Sequence, residues 1–405
     1  MEILERFLKY VRIDTMSDPL SADAPSTQKQ KNLGEELVKD MLELGIADAR
    51  MSEAGVVYGS LPATAGHEDE PCIGLIAHMD TSPDISGKDV NPRIIENYDG
   101  SDIHYPNYPE PLSPETFPNL KEHIGKTLIV TDGATLLGAD DKAGVAEILD
   151  AIRELRDKDI PHGRIAIGFT PDEEIGRGVD NFDLEEFGAQ YAYTLDGGAL
   201  ESIEYECFNA ASLTVEVAGF NIHPGAAKNL MKNASLIAFE FDRMLPAQQR
   251  PQYTEGYEGF YHLSEMEGDE EHAALRYIVR DHDKEKFESK KELAVKIGDF
   301  LNDKYGAGTV TVELKDTYYN MIEQIKPHIH IVNRAKRAME DAGISPRETA
   351  IRGGTDGSRL SYMGLPCPNL PTGGHNYHGR FEYIPVEDMK KAVEIIVRIL
   401  GALET

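Results

Sequence analysis

The stretch GRIAIGFTPDEEIG, residues 163–176, decides the predicted fold, because an apolar run is followed at once by three carboxylates. The apolar part predicts a buried strand. Asp172, Glu173 and Glu174 then stand where that strand emerges. Like charges held close repel one another, and burial makes each of them more costly. A solvated acidic turn is the ordinary explanation for one isolated run, so the rest of the chain decides whether this run is isolated.

Other predicted strands also end in acidic or histidine side chains. CIGLIAHMD ends with His78 and Asp80, and the strand in AQYAYTLDGG ends at Asp196. Helical patterns separate these strands, most clearly in residues 141–158. Strands that alternate with helices predict an α/β fold whose central sheet is largely parallel and flanked by helices.

The pattern changes after about residue 207. ASLTVEVAGF alternates as a half-exposed strand does, and the following segments predict a hairpin, a helix and a further strand. A chain of 405 residues is also longer than one hydrophobic core usually supports. We therefore predict a smaller inserted α+β domain at residues 208–319, within a core domain formed by residues 1–207 and 320–405.

The composition argues against several classes of partner. Lys and Arg number 41 against 71 Asp and Glu, a formal net charge of −30, whereas nucleic acids and anionic membranes bind positive surfaces. No apolar run approaches the ~18 residues of a membrane-spanning helix. The opening MEILERFLKYVRIDT lacks the apolar core of a signal peptide. The excess of carboxylates fits a site that binds cations.

The cysteines favour a reducing compartment. Cys72, Cys207 and Cys367 are odd in number and widely spaced, and they form no C-x-x-C motif. A disulfide scaffold and a cysteine-based zinc site are both disfavoured. We therefore predict a cytoplasmic protein.

Polar side chains that are far apart in the sequence could meet at one edge of the predicted sheet. They are His78 with Asp80, the pair Asp140–Asp141, the pair Glu173–Glu174, Asp196, and His378. In open α/β sheets, ligands bind outside the carboxyl ends of the strands, where loops from distant segments meet. Repetition of this pattern favours a metal site over a coincidence of solvated turns.

The donor types indicate the metal. Histidine nitrogen with carboxylate oxygen and no cysteine suits Zn²⁺, with Mn²⁺ or Co²⁺ as substitutes. Two histidines with three or four carboxylates are too many for one tetrahedral ion. They suit two ions about 3.5–4 Å apart that share a bridging carboxylate, an arrangement typical of hydrolases that include aminopeptidases.

Several motifs carry a resemblance to a known family. In chain order they are HMDTSPD, LLGADDKAG, TPDEEIG, TLDGG, FNIHPGAAKNLMKNAS, and RGGTDGSRLSYMGLPCPNL with GGHNYHGRFEY after it. Together they make the chain similar to the co-catalytic zinc peptidases of the M20 family, and the similarity runs along the whole chain. It implies a zinc-peptidase core with an inserted domain and two Zn²⁺ ions per chain.

The resemblance also implies a role for each position of the candidate site. The metal ligands would be His78, Asp140, Glu174, Asp196 and His378. Asp140 would bridge both ions, and Asp80 would orient the ring of His78. Glu173 would be the general base, which takes a proton from a metal-activated water and passes it to the leaving amine. The peptide bond between Asp140 and Asp141 would be cis.

Two histidines compete for the last ligand position. GGHNYHGRFE offers His375 and His378. In the family motif the ligand lies four residues before a Glu, which favours His378, with Glu382 following.

Substrate contacts are implied by the resemblance and by the chemistry of a short peptide. His223 would donate to the oxyanion. A peptide carboxylate calls for an arginine, and Arg280 and Arg352 are the candidates, although a surface salt bridge is the alternative for each. Asn320 would contact the peptide backbone.

The implied activity is that of an aminopeptidase that releases the N-terminal residue of tripeptides. Within the same fold, a dipeptidase, a carboxypeptidase or an N-acyl amino acid deacylase could use the same metals. A catalytically inactive relative is an alternative from another class. The inserted domain would act as a lid or as the interface of a homodimer.

Overall fold

The computed structural model describes residues 1–401. The strands, in chain order, are β1 (Arg50–Met51), β2 (Val57–Leu61), β3 (Ile73–His78), β4 (Arg93–Ile95), β5 (Ile103–Tyr105), β6 (Tyr108–Leu112), β7 (Leu128–Val130), β8 (Ile165–Thr170), β9 (Tyr191–Gly197), β10 (Ser202–Cys207), β11 (Asn209–Ala218), β12 (Phe260–Gly268), β13 (His272–Asp281), β14 (Val310–Tyr318), β15 (Arg347–Ile351), β16 (Asn369–Pro371) and β17 (Tyr383–Pro385). The α-helices are α1 (Ile3–Val11), α2 (Gln30–Glu43), α3 (Ala139–Asp157), α4 (Leu184–Phe187), α5 (Ala234–Met244), α6 (Lys284–Tyr305), α7 (Ile322–Ile325), α8 (Ile329–Asp341), α9 (Asp356–Met363) and α10 (Val386–Leu400). Every helix in residues 1–401 is too short or too polar to cross a lipid bilayer.

The chain divides into two compact units. The first contains residues 1–205, 323–349 and 355 onward, and the second contains residues 206–322 and 350–354. The sequence predicted that residues 350–354 belong to the core domain. They group with the second unit because Arg352 donates to the carbonyl oxygens of the loop that precedes β12.

The first unit is built on an eight-stranded sheet with the order β1-β2-β8-β3-β9-β16-β10-β15. The neighbours β8, β3, β9 and β16 pair in parallel, whereas β2 and β10 pair antiparallel on either side of them. Every residue of β3 and β8 is buried, as expected for central strands covered on both faces. Helix α3 packs on β3 and β9, and α1 and α10 pack on α3. The predicted α/β fold with parallel central strands is confirmed.

The second unit is a four-stranded antiparallel sheet with the order β12-β13-β11-β14. Helices α5 and α6 cover it, and their buried side chains Phe241 and Ile297 join Leu213, Leu275 and Val279 of the sheet in one apolar cluster.

The parallel strands of the first unit set the position of the candidate site. His78, the last residue of β3, lies beside Thr170, the last residue of β8. Asp196 lies near the end of β9, the other neighbour of β3. Because these strands run in one direction, the side chains that follow them emerge at the same edge of the sheet.

Candidate active site

The structure brings the five predicted metal ligands together in the first unit, in two groups that share Asp140. In one group, His78 Nε2 lies 2.9 Å from Asp140 Oδ1 and 3.6 Å from Asp196 Oδ1. In the other, His378 Nε2 lies 3.2 Å from Asp140 Oδ2 and 3.0 Å from Glu174 Oε2. Each oxygen of Asp140 therefore faces a different pair of one histidine and one carboxylate.

Asp140 projects from an irregular start of helix α3. Gly138 before it has φ of 81°, and Asp140 and Asp141 have non-helical backbone angles. The peptide bond between Asp140 and Asp141 is cis. Asp141 turns the other way, and its Oδ2 accepts the backbone N–H of His78 at 3.0 Å. The two adjacent aspartates thus face different partners.

The electrostatics of the cluster call for cations. Across residues 1–401, the ion pairs of Asp140, Glu174 and Asp196 involve only His78 and His378. Burial lowers the pKa of His78, yet hydrogen bonds to the surrounding carboxylates raise it well above its usual value. Hydrogen bonds to Asp140 and Glu174 raise the pKa of His378 to about 11. The carboxylates therefore draw positive charge onto both imidazoles.

An unpartnered oxygen points to the same need. Glu174 Oε1 is buried without a hydrogen-bond partner among the described residues. Burial, followed by repulsion from Asp140, raises the pKa of Glu174 to about 7. A buried carboxylate left unpaired is costly, and a bound cation would remove that cost. Imidazole nitrogens and carboxylate oxygens in these two groups fit a pair of divalent ions.

Asp80 connects the end of β3 to the acidic turn after β8. Its carboxylate accepts the backbone N–H groups of Glu173 at 2.9 Å and Glu174 at 3.2 Å. The ring Nδ1 of His78 lies 3.1 Å from the backbone carbonyl of Asp80 and 3.4 Å from its Oδ1. The predicted orientation of His78 thus involves the Asp80 carbonyl as well as the carboxylate, and Asp80 also fixes the turn.

The three carboxylates of the opening stretch face three directions. Asp172, with φ of 58°, accepts hydrogen bonds from Ser26 N at 2.7 Å and Gln30 Nε2 at 2.7 Å. Glu174 faces His378. The Glu173 carboxylate has no hydrogen bond within residues 1–401, while burial and then the charge of Asp196 raise its pKa well above the usual value. The Glu173 carboxyl group therefore lies within electrostatic reach of Asp196, with no hydrogen-bond partner among the described residues.

Comparisons with known proteins decide the family. A sequence profile described as Peptidase family M20/M25/M40 matches residues 132–402. A protein named Peptidase T from Halothermothrix orenii is 54% identical over 406 residues, covering 100% of this chain and 99% of its own. The chain belongs to the M20/M25/M40 peptidase family. This M20 chain is a peptide hydrolase.

Solved structures agree with this assignment. The aminopeptidase PepT from Bacillus cereus has a TM-score of 0.78 with 26% identity, covering 98% of this chain and 97% of that one. A protein of Bacillus subtilis described as a dinuclear metal binding peptidase of the M20 family shares the fold, with a TM-score of 0.62, 13% identity, and coverage of 98% and 96%. Members of the family generally depend on a pair of metal ions. In the M20 chain, donor atoms of His78, Asp140 and Glu174 lie within 4.8 Å of one another, as do those of His78, Asp141 and Asp196.

A second histidine group of the M20 chain contains the alternative ligand His375. Donor atoms of His123, His375 and Asp388 lie within 4.8 Å of one another. The Lys126 ammonium donates to both oxygens of Asp388, at 2.6 and 2.9 Å, and lies 3.2 Å from His123 Nδ1. This cation already neutralises the group, so we do not count it as a metal site.

The four predicted substrate contacts all lie in the second unit of the M20 chain. His223 is exposed, and its Nδ1 accepts the N–H of Gly225 at 3.1 Å. The Asn320 side chain is buried, accepts from Cys207 N and Ile322 N, and donates to the carbonyl of His282. The Asn320 amide thus already holds three backbone segments, and its contact with a substrate stays a prediction.

The two predicted arginines of the M20 chain, Arg280 and Arg352, differ in how many hydrogen bonds they donate within the protein. Arg352 donates to the carbonyls of Gly256 at 2.6 Å and Glu258 at 3.1 Å, and to Thr254 Oγ1 at 3.1 Å. Arg280 donates through Nη1 to the carbonyl of Arg352 at 3.0 Å, while its Nε has no partner within residues 1–401. Arg280 therefore keeps a buried nitrogen without a partner, whereas the guanidinium of Arg352 is held by the loop before β12.

Sequence reasoning gave no role to two buried carboxyl groups of the M20 chain. Asp356, at the start of α9, accepts the Thr170 hydroxyl at 2.7 Å, and burial raises its pKa to about 7. Glu382 accepts three backbone N–H groups near Asp140. Both acids lie inside the quoted motifs RGGTDGS and GRFEY, but their hydrogen-bond partners are distant in sequence.

Proposed function

We propose that this M20 chain is a cytoplasmic aminopeptidase that uses two Zn²⁺ ions and releases the N-terminal residue of tripeptides. The metal chemistry rests on the position of the Asp140 carboxylate. One of its oxygens lies near His78 and Asp196, and the other lies near His378 and Glu174. The substrate class rests on the whole-length resemblance and on the 54% identity to a Peptidase T. Three buried cysteines without disulfides are in keeping with a reducing compartment.

Each residue of the site has a task in this proposal. His78, Asp140 Oδ1 and Asp196 would hold one ion, and His378, Asp140 Oδ2 and Glu174 would hold the other. When bound, the ions would supply Lewis acidity that polarises the scissile carbonyl and makes water reactive near neutral pH. Mn²⁺ and Co²⁺ suit the same donors and could substitute for zinc.

Glu173 would move the proton in this reaction. Its carboxylate would accept a proton from the attacking water and deliver it to the nitrogen of the leaving amine. Asp80 would keep the carboxylate in place through the backbone amide of Glu173. His223 would donate a hydrogen bond to the oxyanion. The second unit would serve as a lid or as the surface of a homodimer.

The activity is tested with one tripeptide of three different residues, its N-acetylated form, the matching dipeptide and an N-acetyl amino acid. We expect rapid release of the first residue from the free tripeptide and loss of cleavage on acetylation, because an aminopeptidase recognises the free ammonium group. Release of the last residue would instead indicate a carboxypeptidase. Preferred cleavage of the dipeptide or the N-acetyl amino acid would indicate a dipeptidase or a deacylase.

Replacing Arg280 with Ala is expected to raise the KM for tripeptides by about tenfold or more, since a hydrogen bond to a charged group contributes ~1.5–3 kcal/mol. A tripeptide amide, which lacks the carboxylate, should lose little further in the variant. Arg276→Ala is the matched control, because Arg276 lies on the same strand and pairs with Glu265 at 3.3 Å. An unchanged KM in Arg280→Ala would remove Arg280 from substrate binding.

A further inference from the structure

Glu382 is a buried carboxylate whose two oxygens are fully used by the backbone that leads to Asp140. It is 1% exposed. Its Oε2 accepts the N–H groups of Leu137 at 2.7 Å and Gly138 at 2.8 Å, and its Oε1 accepts the N–H of Asp140 at 3.0 Å. These three hydrogen bonds hold the turn that presents Asp140.

The same residue lies on the segment that presents His378. That segment ends in β17, which pairs antiparallel with β7 through Tyr383 and Val130. Beyond the pair Val130–Tyr383, the chain leads from the end of β7 toward Asp140. At the same end of the ladder, the residues that precede β17 lead back to His378. The chain between Tyr383 and His378 forms no further strand. Glu382 therefore ties the two segments together beyond the end of the ladder.

The geometry of the site depends on this tie. His378 Nε2 lies 3.2 Å from Asp140 Oδ2. The two segments are far apart in sequence, since the hydrogen bond between Glu382 and Asp140 spans 242 residues. His378 is itself in a left-handed conformation, with φ of 62°, which a non-glycine residue keeps only where the surroundings hold it. Both oxygens of Glu382 are occupied by backbone N–H groups, so its effect is exerted through the backbone.

We propose that Glu382 is a positioning residue that holds Asp140 and His378 at the separation one metal ion needs. The inference rests on the proposed function, because it assumes that these two side chains share an ion. The Glu382 side chain connects two segments. Its backbone belongs to the His378 segment, and its carboxylate accepts hydrogen bonds from the amides of the Asp140 turn. Partners of this kind, one step outside the ligands, typically change metal affinity or activity by about 10–100-fold.

The test uses Glu382→Gln, which keeps the size of the side chain but turns an NH₂ group toward at least one backbone N–H. Metal affinity is measured by competition with a chelator, and metal content by mass spectrometry after dialysis. We expect the ion between His378 and Asp140 to bind about 10–100-fold more weakly. The ion beside His78 and Asp196 should weaken less, because Asp140 is the only one of its ligands that Glu382 holds. The absorption spectrum of the Co²⁺-substituted protein should change most for the first ion, and kcat should fall while KM stays nearly constant.

The control is Glu387→Gln, because Glu387 also accepts a backbone N–H, that of Thr127 at 2.9 Å, but is exposed. It should match the wild type in metal affinity. Glu382→Asp is the second variant, since it keeps the charge and shortens the reach. If the position of the carboxylate matters, Glu382→Asp should not regain the metal affinity of the wild type. Wild-type affinity in Glu382→Asp would show that charge alone is needed, and would contradict a positioning role.

Two results separate this inference from the proposed function. Wild-type protein that binds fewer than two ions would contradict the proposed function itself. Wild-type protein with two ions, together with an unaltered Glu382→Gln variant, would overturn only the role of Glu382. Failure of both Glu382 variants to fold would assign the residue to the stability of the fold and would likewise overturn the proposal.

Discussion

Glu173→Gln should lower kcat by about 10²–10⁴-fold, the usual contribution of a general base, while the protein still binds two metal ions per chain. The amide cannot accept the proton. It leaves both groups of candidate ligands intact, since the Glu173 carboxylate makes no hydrogen bond to them. Steady-state kinetics and metal analysis on the same sample check this result. The combination of lost turnover and retained metal also separates an enzyme from an inactive, metal-binding relative.

Glu185→Gln is the matched control for this substitution. Glu185 is exposed and lies in the short helix α4, eleven residues after Glu174. Its replacement should leave kcat unchanged. Turnover near the wild-type rate in Glu173→Gln would exclude Glu173 from the proton transfer.

Asp140→Asn is expected to have the larger effect on metal binding, because both halves of the site use this carboxylate. An amide offers one oxygen, and its NH₂ group would face the other ion. We expect metal content to fall to one ion per chain or fewer, and activity to fall by ~10³-fold or more, which corresponds to about 4 kcal/mol. Metal analysis by mass spectrometry and assays with added Zn²⁺ check both expectations.

Asp157→Asn is the control for the bridging position. Asp157 is the last residue of the same helix and pairs with Arg153 at 3.1 Å near the surface. A surface ion pair contributes little to stability, so metal content and activity should both be preserved. Two tightly bound ions in Asp140→Asn would contradict a bridging role for Asp140.

The central fold and the ligand cluster could be predicted because their signals are local. Apolar runs marked β3, β8 and β9, and each run was followed within a few residues by a side chain of the site. Parallel strands place such side chains at one edge of a sheet, so convergence followed from the order of strands and helices. The division of Asp140 between two groups was implied only by the family resemblance.

Other features depend on contacts that no local pattern encodes. Asp172 holds Ser26, which lies 146 positions earlier, and so fixes the turn that carries Glu173 and Glu174. Arg352 binds the loop around Gly256, 96 positions earlier, which moves residues 350–354 into the second unit and occupies the guanidinium. Asn320 was predicted to contact the substrate backbone, and its hydrogen bonds to Cys207 N and the His282 carbonyl show a structural use as well. In each case the deciding partner becomes visible only after folding.

The most direct test of the account is anomalous X-ray diffraction at the zinc edge from crystals of the zinc-loaded protein. The account predicts two peaks about 3.5–4 Å apart on either side of the Asp140 carboxylate, one beside His78 and Asp196 and the other beside His378 and Glu174. A single peak, or peaks away from Asp140, would contradict it.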